Sequence, residues 1–124
     1  MNKVQLTFAF GFAAILILAG VNHFINPKMY SPFIPDWMPL LLTNVITGIV
    51  EVGLGAGLLF KKYRKNAAFG VFILMLLFLP LHLVDVFKET PAIGSKTVAV
   101  IRLPIQFLLI WCAWYIYKPK NQKS

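Results

Sequence analysis

The sequence is poor in charged residues, and most of the charge it has is of one sign. Charged residues make up 13% of the 124 and hydrophobic residues 59%, whereas about a quarter of an ordinary soluble domain is charged. So few charged side chains cannot cover a surface in water, which excludes a water-soluble domain. Four acidic residues against twelve Lys and Arg give a net charge of +8, and the placement of these cations decides what that charge means.

Cysteine is nearly absent, because Cys112 is the only one in the chain. A single cysteine excludes an intrachain disulfide and a C-x-x-C redox pair. Two roles remain for Cys112, a reactive thiol or a small buried hydrophobic residue. Its place inside an apolar segment favours the buried residue.

Long apolar runs are what the sequence has in abundance. Four of them span 4–24, 38–60, 67–87 and 98–117, and each has the length of about 20 residues that a helix needs to cross a bilayer. They are not the alternating segments of about ten residues that form membrane barrels. The first run also resembles a signal peptide, but it lacks a small-x-small cleavage site. We therefore predict an all-α fold, a single domain over 1–124 in which four transmembrane helices form an antiparallel bundle.

The cations are concentrated on one predicted side of the membrane. If four helices alternate in direction, eight of the twelve Lys and Arg fall on the side of the two termini. They are Lys3, Lys61, Lys62, Arg64, Lys65, Lys118, Lys120 and Lys123. The positive-inside rule then predicts a multi-pass protein with both termini in the cytoplasm. The positive charge is interpreted as a topology signal, so the lipid bilayer is the expected partner and nucleic acid is not.

Three connections are predicted between the helices. The first, INPKMYSPFIPDWMP, has four prolines, which prevent a regular helix. Its aromatic residues Tyr30, Phe33 and Trp37 suit either an anchor at the membrane interface or a lid over a cavity, and we favour the anchor. The other two, KKYRKN and KETPAIGSK, are predicted to be short loops. In the second helix, Gly53 and Gly57 have the small-xxx-small spacing that predicts close helix packing.

Five ionisable side chains lie inside the apolar runs, where each costs roughly 2.5 to 3.5 kcal/mol at a helix centre. They are His23, Glu51, His82, Asp85 and Arg102. Such groups normally face protein or water and find partners. Glu51 is expected near the middle of the bilayer and the other four in the outer half, so that Glu51 forms the floor of an outward-facing cavity.

Two helices are predicted to present polar stripes to this cavity. In the second helix the stripe follows helical spacing and consists of Asn44, Thr47, Gly48, Glu51 and Gly55. In the fourth helix it consists of Arg102, Gln106 and Ala113. Arg102 is expected to pair with Asp85, and its remaining donors can reach Glu51.

The polar set has two interpretations. It either only holds the helices together, with the acids and the arginine neutralising each other, or it forms a site for a ligand or a proton. His82 and Glu51 exceed what neutralisation requires, which favours a site. A buried carboxyl group without a cation beside it favours its neutral form, and can then donate a hydrogen bond to a carbonyl or quinone oxygen. Each histidine is better explained as an interfacial residue than as a metal ligand, so no metal is predicted.

Several motifs together resemble the DoxX and DoxX-like family of small four-helix bacterial membrane proteins. They are AGVNHFINPKMY, GIVEVGLGAGLL, RKNAAFG and RLPIQFLLIWCAWY, and the resemblance runs from about Ala19 to Tyr115. It implies a bacterial inner-membrane protein in a family that includes subunits linked to thiosulfate-to-quinone electron transfer and to methylamine utilisation. The matching positions are His23, Glu51, Arg102, Pro104 and Gln106. Members that relay thiols use cysteine pairs, which this chain lacks.

The leading hypothesis is an inner-membrane protein whose outward-opening polar pocket binds a small molecule, with quinone as the candidate cofactor, in a redox or membrane-stress context. The alternatives are a non-catalytic membrane subunit or scaffold and, third, a small transporter. We do not expect an enzyme that acts alone; a membrane subunit of an oxidoreductase is the candidate role, with a redox protein or further copies of the chain as partners. The predicted site or network residues are Glu51, Arg102, Asp85, His82, His23, Gln106 and Asn44.

Overall fold

The computed structural model describes residues 1–118 and contains five helices in that part of the chain. Four are long: α1 (Lys3–Ile25), α2 (Leu40–Leu59), α3 (Lys61–Phe87) and α4 (Lys96–Tyr117). The fifth is a short 3-10 helix, Pro27–Phe33, between α1 and α2. The all-helical prediction is confirmed, and the proline-rich connection forms tight 3-10 turns, with Pro27 in the first turn where a missing N–H costs nothing.

Successive long helices pack antiparallel. The side-chain amide of Gln5, at the start of α1, donates to the backbone oxygen of Tyr115 near the end of α4 at 2.9 Å. On α3 and α4, the rings of Phe69 and Tyr117 lie 5.1 Å apart, so the start of one helix meets the end of the other. Packing is most extensive within the hairpins α1–α2 and α3–α4. The bundle is therefore two helical hairpins side by side.

Glycine allows α1 and α2 to approach backbone to backbone. A Cβ on Gly20 would lie 2.9 Å from the oxygen of Gly48, and a Cβ on Gly55 would lie 3.0 Å from the oxygen of Ala13. The small-residue contact thus uses Gly20, Gly48 and Gly55. Of the predicted pair, Gly57 does pack closely, since a Cβ there would lie 2.9 Å from the Cβ of Ala67 on α3, but the prediction is wrong for Gly53, where nothing lies within 4 Å of a Cβ.

The KKYRKN segment is not a loop, which corrects the sequence prediction. It forms the first turns of α3, because Lys and Arg are good helix formers and nothing in the segment breaks a helix. Arg64 is 8% exposed, and its guanidinium donates to the backbone oxygens of Leu58 at 2.7 Å and Leu59 at 3.0 Å. Those carbonyls end α2 and have no intrahelical partner, so Arg64 seals the α2–α3 junction.

The outside of the bundle is apolar. Each long helix has the length and composition to cross a membrane, and large hydrophobic side chains such as Leu18, Leu41 and Leu77 are 65% exposed or more. Such a surface is unusual for a soluble monomer and is what a multi-pass membrane protein requires.

The two ends of the bundle differ in charge. Cations cluster at the end formed by the start of α1, the α2–α3 junction and the end of α4, which we call the basic end. Lys3, Lys62 and Lys118 lie there, whereas Lys120 and Lys123 of the predicted cation set are outside the described residues. The opposite end, where α1 and α3 finish and α2 and α4 begin, carries the cavity described below.

Candidate functional site

A cavity of about 500 Å³ opens at the end of the bundle opposite the basic end. Its walls are mostly apolar and include Leu77, Phe78 and Leu81 of α3. Its polar lining comes from every long helix and from the connection between α1 and α2. These polar residues are His23, Tyr30, Thr43, Thr47, Glu51, His82 and Arg102.

The α1–α2 wall is built around three buried polar side chains. Asn44 is 1% exposed, Glu51 5% and His23 8%. Nδ1 of His23 lies 2.7 Å from Oδ1 of Asn44, and Nε2 of the same ring lies 3.4 Å from Oε1 of Glu51. The second contact is within ion-pair range, but it lacks the geometry of a hydrogen bond, so Oε1 has no hydrogen-bond partner among the described residues.

This arrangement follows from the polar stripe on α2. Asn44, Gly48, Glu51 and Gly55 are all buried on one face, as the helical spacing predicts. Gly48 and Gly55 let α1 approach α2 closely, and the same face carries Glu51 between them. The close approach thus brings the end of α1, with His23, against Glu51.

The α3–α4 wall contributes His82 and Arg102. The His82 ring meets the edge of Phe33, with centroids 5.7 Å apart. Nη1 of Arg102 is buried without a hydrogen-bond partner among the described residues. A guanidinium nitrogen in this condition has a donor available for a ligand oxygen.

The predicted pairing of Arg102 with Asp85 or Glu51 is wrong. Within residues 1–118, Arg102 lies within ion-pair distance of neither carboxyl group, and the basic side chain within that distance of Glu51 is His23. Asp85 is occupied elsewhere: its carboxylate accepts the backbone N–H groups of Ala92 at 2.5 Å and Ile93 at 3.1 Å. The loop between α3 and α4 folds back over the end of α3, and this satisfies the acid without the arginine.

Gln106 and Asn44 also form hydrogen bonds to the backbone that hold elements of the bundle together. The Gln106 amide donates to the backbone oxygen of Met75 at 2.7 Å and so joins α4 to α3. Gln106 is buried in the bundle and does not line the cavity, and its Oε1 is without a partner among the described residues. Asn44 reaches the cavity only through His23. The predicted set therefore divides into four cavity residues, His23, Glu51, His82 and Arg102, and three supporting residues.

The connection between α1 and α2 lines the cavity, as the lid interpretation predicts, and its role as a membrane anchor stays a prediction. The Tyr30 ring stacks on His23 with centroids 3.7 Å apart, and its hydroxyl accepts from Asn22 at 2.8 Å. Tyr30 and Phe33 both line the cavity, whereas Trp37 is 81% exposed, as the anchor prediction requires of it. Sequence reasoning identified these aromatic rings but could not tell which of them turn inward.

The remaining features of the site concern metals and thiols. In the described part of the chain, no three His, Cys, Asp or Glu side chains cluster as metal ligands. Cys112 is partly buried and packs against the hydrophobic core on α4, outside the cavity. The cavity therefore offers carboxyl, imidazole and guanidinium groups in an apolar chamber. Such a chamber can hold a small, largely apolar molecule by its oxygen atoms.

Comparison with known proteins gives one family. No curated protein and no solved structure matches the chain. The model of a family described as a domain of unknown function matches residues 12–117, which include every residue of the cavity. Because this match covers most of the sequence, the chain belongs to the DUF8561 family.

Proposed function

We propose that the chain is an inner-membrane protein whose cavity binds a small, largely apolar molecule through its oxygen atoms, and that a quinone is this ligand. The observation that carries the proposal is the pair of unsatisfied polar groups in one cavity: Oε1 of Glu51 and Nη1 of Arg102 are buried without hydrogen-bond partners among the described residues. Buried groups of this kind normally find partners. A ligand with a carbonyl or phenolic oxygen supplies them.

The shape and lining of the cavity support a ligand of this size. About 500 Å³ falls within the range of roughly 300 to 1,000 Å³ that is common for ligand pockets. The apolar walls suit a ring, and Phe33 and Tyr30 suit stacking or edge contacts with it. Three positions that resemble DoxX-like proteins, His23, Glu51 and Arg102, line this cavity, and the quinone hypothesis derives from that resemblance.

The competing function is a structural subunit whose polar groups only hold the bundle together. Asp85 and Gln106 favour it, because their hydrogen bonds join the α3–α4 loop and the α3 and α4 helices without involving the cavity. Glu51 and Arg102 do not, because each has a buried atom unpaired among the described residues and both side chains line the cavity. A purely structural network is expected to pair them.

Replacement of Glu51 by Gln tests the proposal. The amide keeps the size of the side chain and can donate to Nε2 of His23, so we expect the thermal midpoint in detergent to change little. Binding of a short-chain benzoquinone, measured by calorimetric titration on the same preparation, is expected to weaken about tenfold, or about 1.4 kcal/mol. Glu89→Gln is the matched control, since it makes the same chemical change on an exposed loop.

The structural alternative predicts the opposite pattern. A Glu51→Gln protein that melts at a clearly lower temperature but binds the quinone as the unsubstituted protein does would show that Glu51 serves the bundle. If the unsubstituted protein does not bind the quinone at all, a quinone is not the ligand.

A further inference from the structure

The orientation of the Asn44 amide is fixed by the backbone. Its Nδ2 donates to the backbone oxygen of Pro27 at 3.2 Å and to that of Leu40 at 3.1 Å. Both acceptors are carbonyls, so the amide cannot be flipped without losing both bonds. Oδ1 of Asn44 is therefore the atom that faces Nδ1 of His23 at 2.7 Å. Since an amide oxygen only accepts, Nδ1 must carry a hydrogen and donate it.

This fixes the chemistry at the other ring nitrogen. A neutral imidazole with its hydrogen on Nδ1 has a lone pair on Nε2. That nitrogen faces Oε1 of Glu51 at 3.4 Å, and an ionised carboxylate also presents only lone pairs. Two acceptors do not face each other favourably in a buried site. One additional proton, on either the imidazole or the carboxyl group, removes the conflict, although the contact as it stands lacks the geometry of a hydrogen bond.

The surroundings make that proton accessible from one side only. The pair is at least nine-tenths buried, and the Tyr30 ring stacks on His23 from the connecting segment. The other charged or titratable groups that share the cavity are Tyr30 of the connection, His82 of α3 and Arg102 of α4. His23 and Glu51 themselves line the cavity, so the cavity is the side from which a proton or a ligand reaches the pair.

We propose that His23 and Glu51 together carry one proton in addition to the one on Nδ1, and so form the proton-exchanging group of the cavity, with Asn44 as the residue that positions His23. The proton leaves the pair for an anionic ligand oxygen or for water, and leaves neutral His23 and ionised Glu51. It returns by the reverse transfer. The transfer to a ligand rests on the proposed function, whereas the shared proton does not.

Nitrogen NMR of ligand-free protein labelled at histidine tests the shared proton directly. His23 and His82 are the two histidines of the chain, so a His82→Gln sample assigns the spectrum. At neutral pH we expect Nδ1 of His23 to be protonated, the reverse of the preference of a free histidine in water. We expect Nε2 to be shifted away from the position of a bare lone-pair nitrogen. A His23 ring with an unprotonated Nδ1 would overturn the proposal.

Two variants separate the roles of the partners. In Glu51→Gln, Nε2 of His23 can at most accept a hydrogen bond from the amide, so its resonance should move toward that of a lone-pair nitrogen while Nδ1 keeps its proton. An unchanged Nε2 resonance would contradict a shared proton. In Asn44→Ala, the Nε2–H tautomer should appear, because nothing then selects Nδ1–H. Circular dichroism verifies that each variant is folded. The result for the unsubstituted protein decides the proposal if Asn44→Ala does not fold.

The same samples distinguish failure of this proposal from failure of the proposed function. Titration with a short-chain benzoquinone is performed after the NMR measurement. The expected NMR pattern without quinone binding would refute the quinone and leave the proton pair standing. Quinone binding with an unprotonated Nδ1 would refute the pair and leave the binding site standing.

Discussion

At the scale of single residues, the polar groups of the bundle differ in whether their hydrogen bonds are complete. Asp85 and Asn44 have their acceptors and donors occupied by nearby backbone and side-chain groups. Glu51 and Arg102 lie on opposite walls of one cavity with buried atoms unpaired among the described residues. The sequence predicted that all four are buried polar residues of the bundle. It could not predict their partners, because Asp85 is satisfied by main-chain N–H groups whose positions depend on how the α3–α4 loop folds.

Loss of the unpaired Arg102 guanidinium should affect stability less than loss of one partner of an ion pair. If Arg102 were paired with a buried acid, its loss would cost about 3 to 5 kcal/mol. Since no such pair forms, we expect Arg102→Gln to lower the free energy of unfolding by less than about 1 kcal/mol. Quinone binding should weaken about tenfold, as for one lost charge-assisted hydrogen bond. Thermal melting and titration of one preparation give both values, and a large loss of stability with intact binding would contradict this assignment.

Asp85 leads to the opposite expectation. Asp85→Asn replaces an acceptor of two backbone N–H groups by an amide that can accept with only one atom. Hydrogen bonds to charged groups contribute about 1.5 to 3 kcal/mol each. We expect the thermal midpoint to fall by an amount equivalent to about 2 kcal/mol, with quinone affinity unchanged because Asp85 does not line the cavity. Glu89→Gln, an exposed carboxylate in the same loop, should leave both properties unchanged.

At the scale of helices, the spacing of small and polar residues predicted which face of α2 is buried. The buried face of α2, with Asn44, Gly48, Glu51 and Gly55, has the spacing expected from the sequence. Gly53 has the small-residue spacing relative to Gly57, but it faces open space, whereas Gly57 lies against Ala67 of α3. Spacing alone shows that two glycines share a face but not which face meets another helix. The close contact between α1 and α2 depends on Gly20 of α1, and no second small residue three or four positions away on α1 marks Gly20 in the sequence.

The α1–α2 contact can be tested with a matched pair of substitutions on one helix. A Cβ on Gly20 would lie 2.9 Å from both the oxygen of Gly48 and the backbone nitrogen of Val52, and neither atom can move without separating the helices. We expect Gly20→Ala to cost about 1 to 3 kcal/mol, as overpacking does. Gly11→Ala, with nothing within 4 Å, should leave the melting temperature unchanged or slightly higher. Equal melting temperatures for the two variants would contradict the close packing.

At the scale of the whole molecule, length and hydropathy predicted the architecture and charge predicts its orientation. The four long helices end within a few residues of the predicted bounds except at the start of α3. There the polarity of the basic segment predicts a loop, whereas its Lys and Arg residues also favour helix and extend α3 beyond the apolar run. The cavity was predictable only as a set of ionisable residues, since its volume depends on how the two hairpins pack.

The orientation in the membrane is a prediction of the charge distribution. In the predicted topology, eight of the cations fall on the side of the termini and the α2–α3 junction. We therefore expect the basic end to face the cytoplasm and the cavity to face outward. Alkaline phosphatase fused after Glu89 should be active, and the same reporter fused after Ser124 inactive. Activity at Ser124 would reverse the orientation, and the cavity would then open to the cytoplasm.

The location of the cavity between two hairpins has a thermodynamic consequence. One hairpin contributes His23 and Glu51 and the other contributes His82 and Arg102. The helices pack less extensively between the hairpins than within each hairpin, so a molecule that contacts both sets of residues links the two hairpins. By linkage, a ligand present at 100 times its Kd raises the free energy of unfolding by about 2.7 kcal/mol. The natural ligand can therefore be sought without knowledge of any reaction, as the compound that best delays the separation of the hairpins on heating.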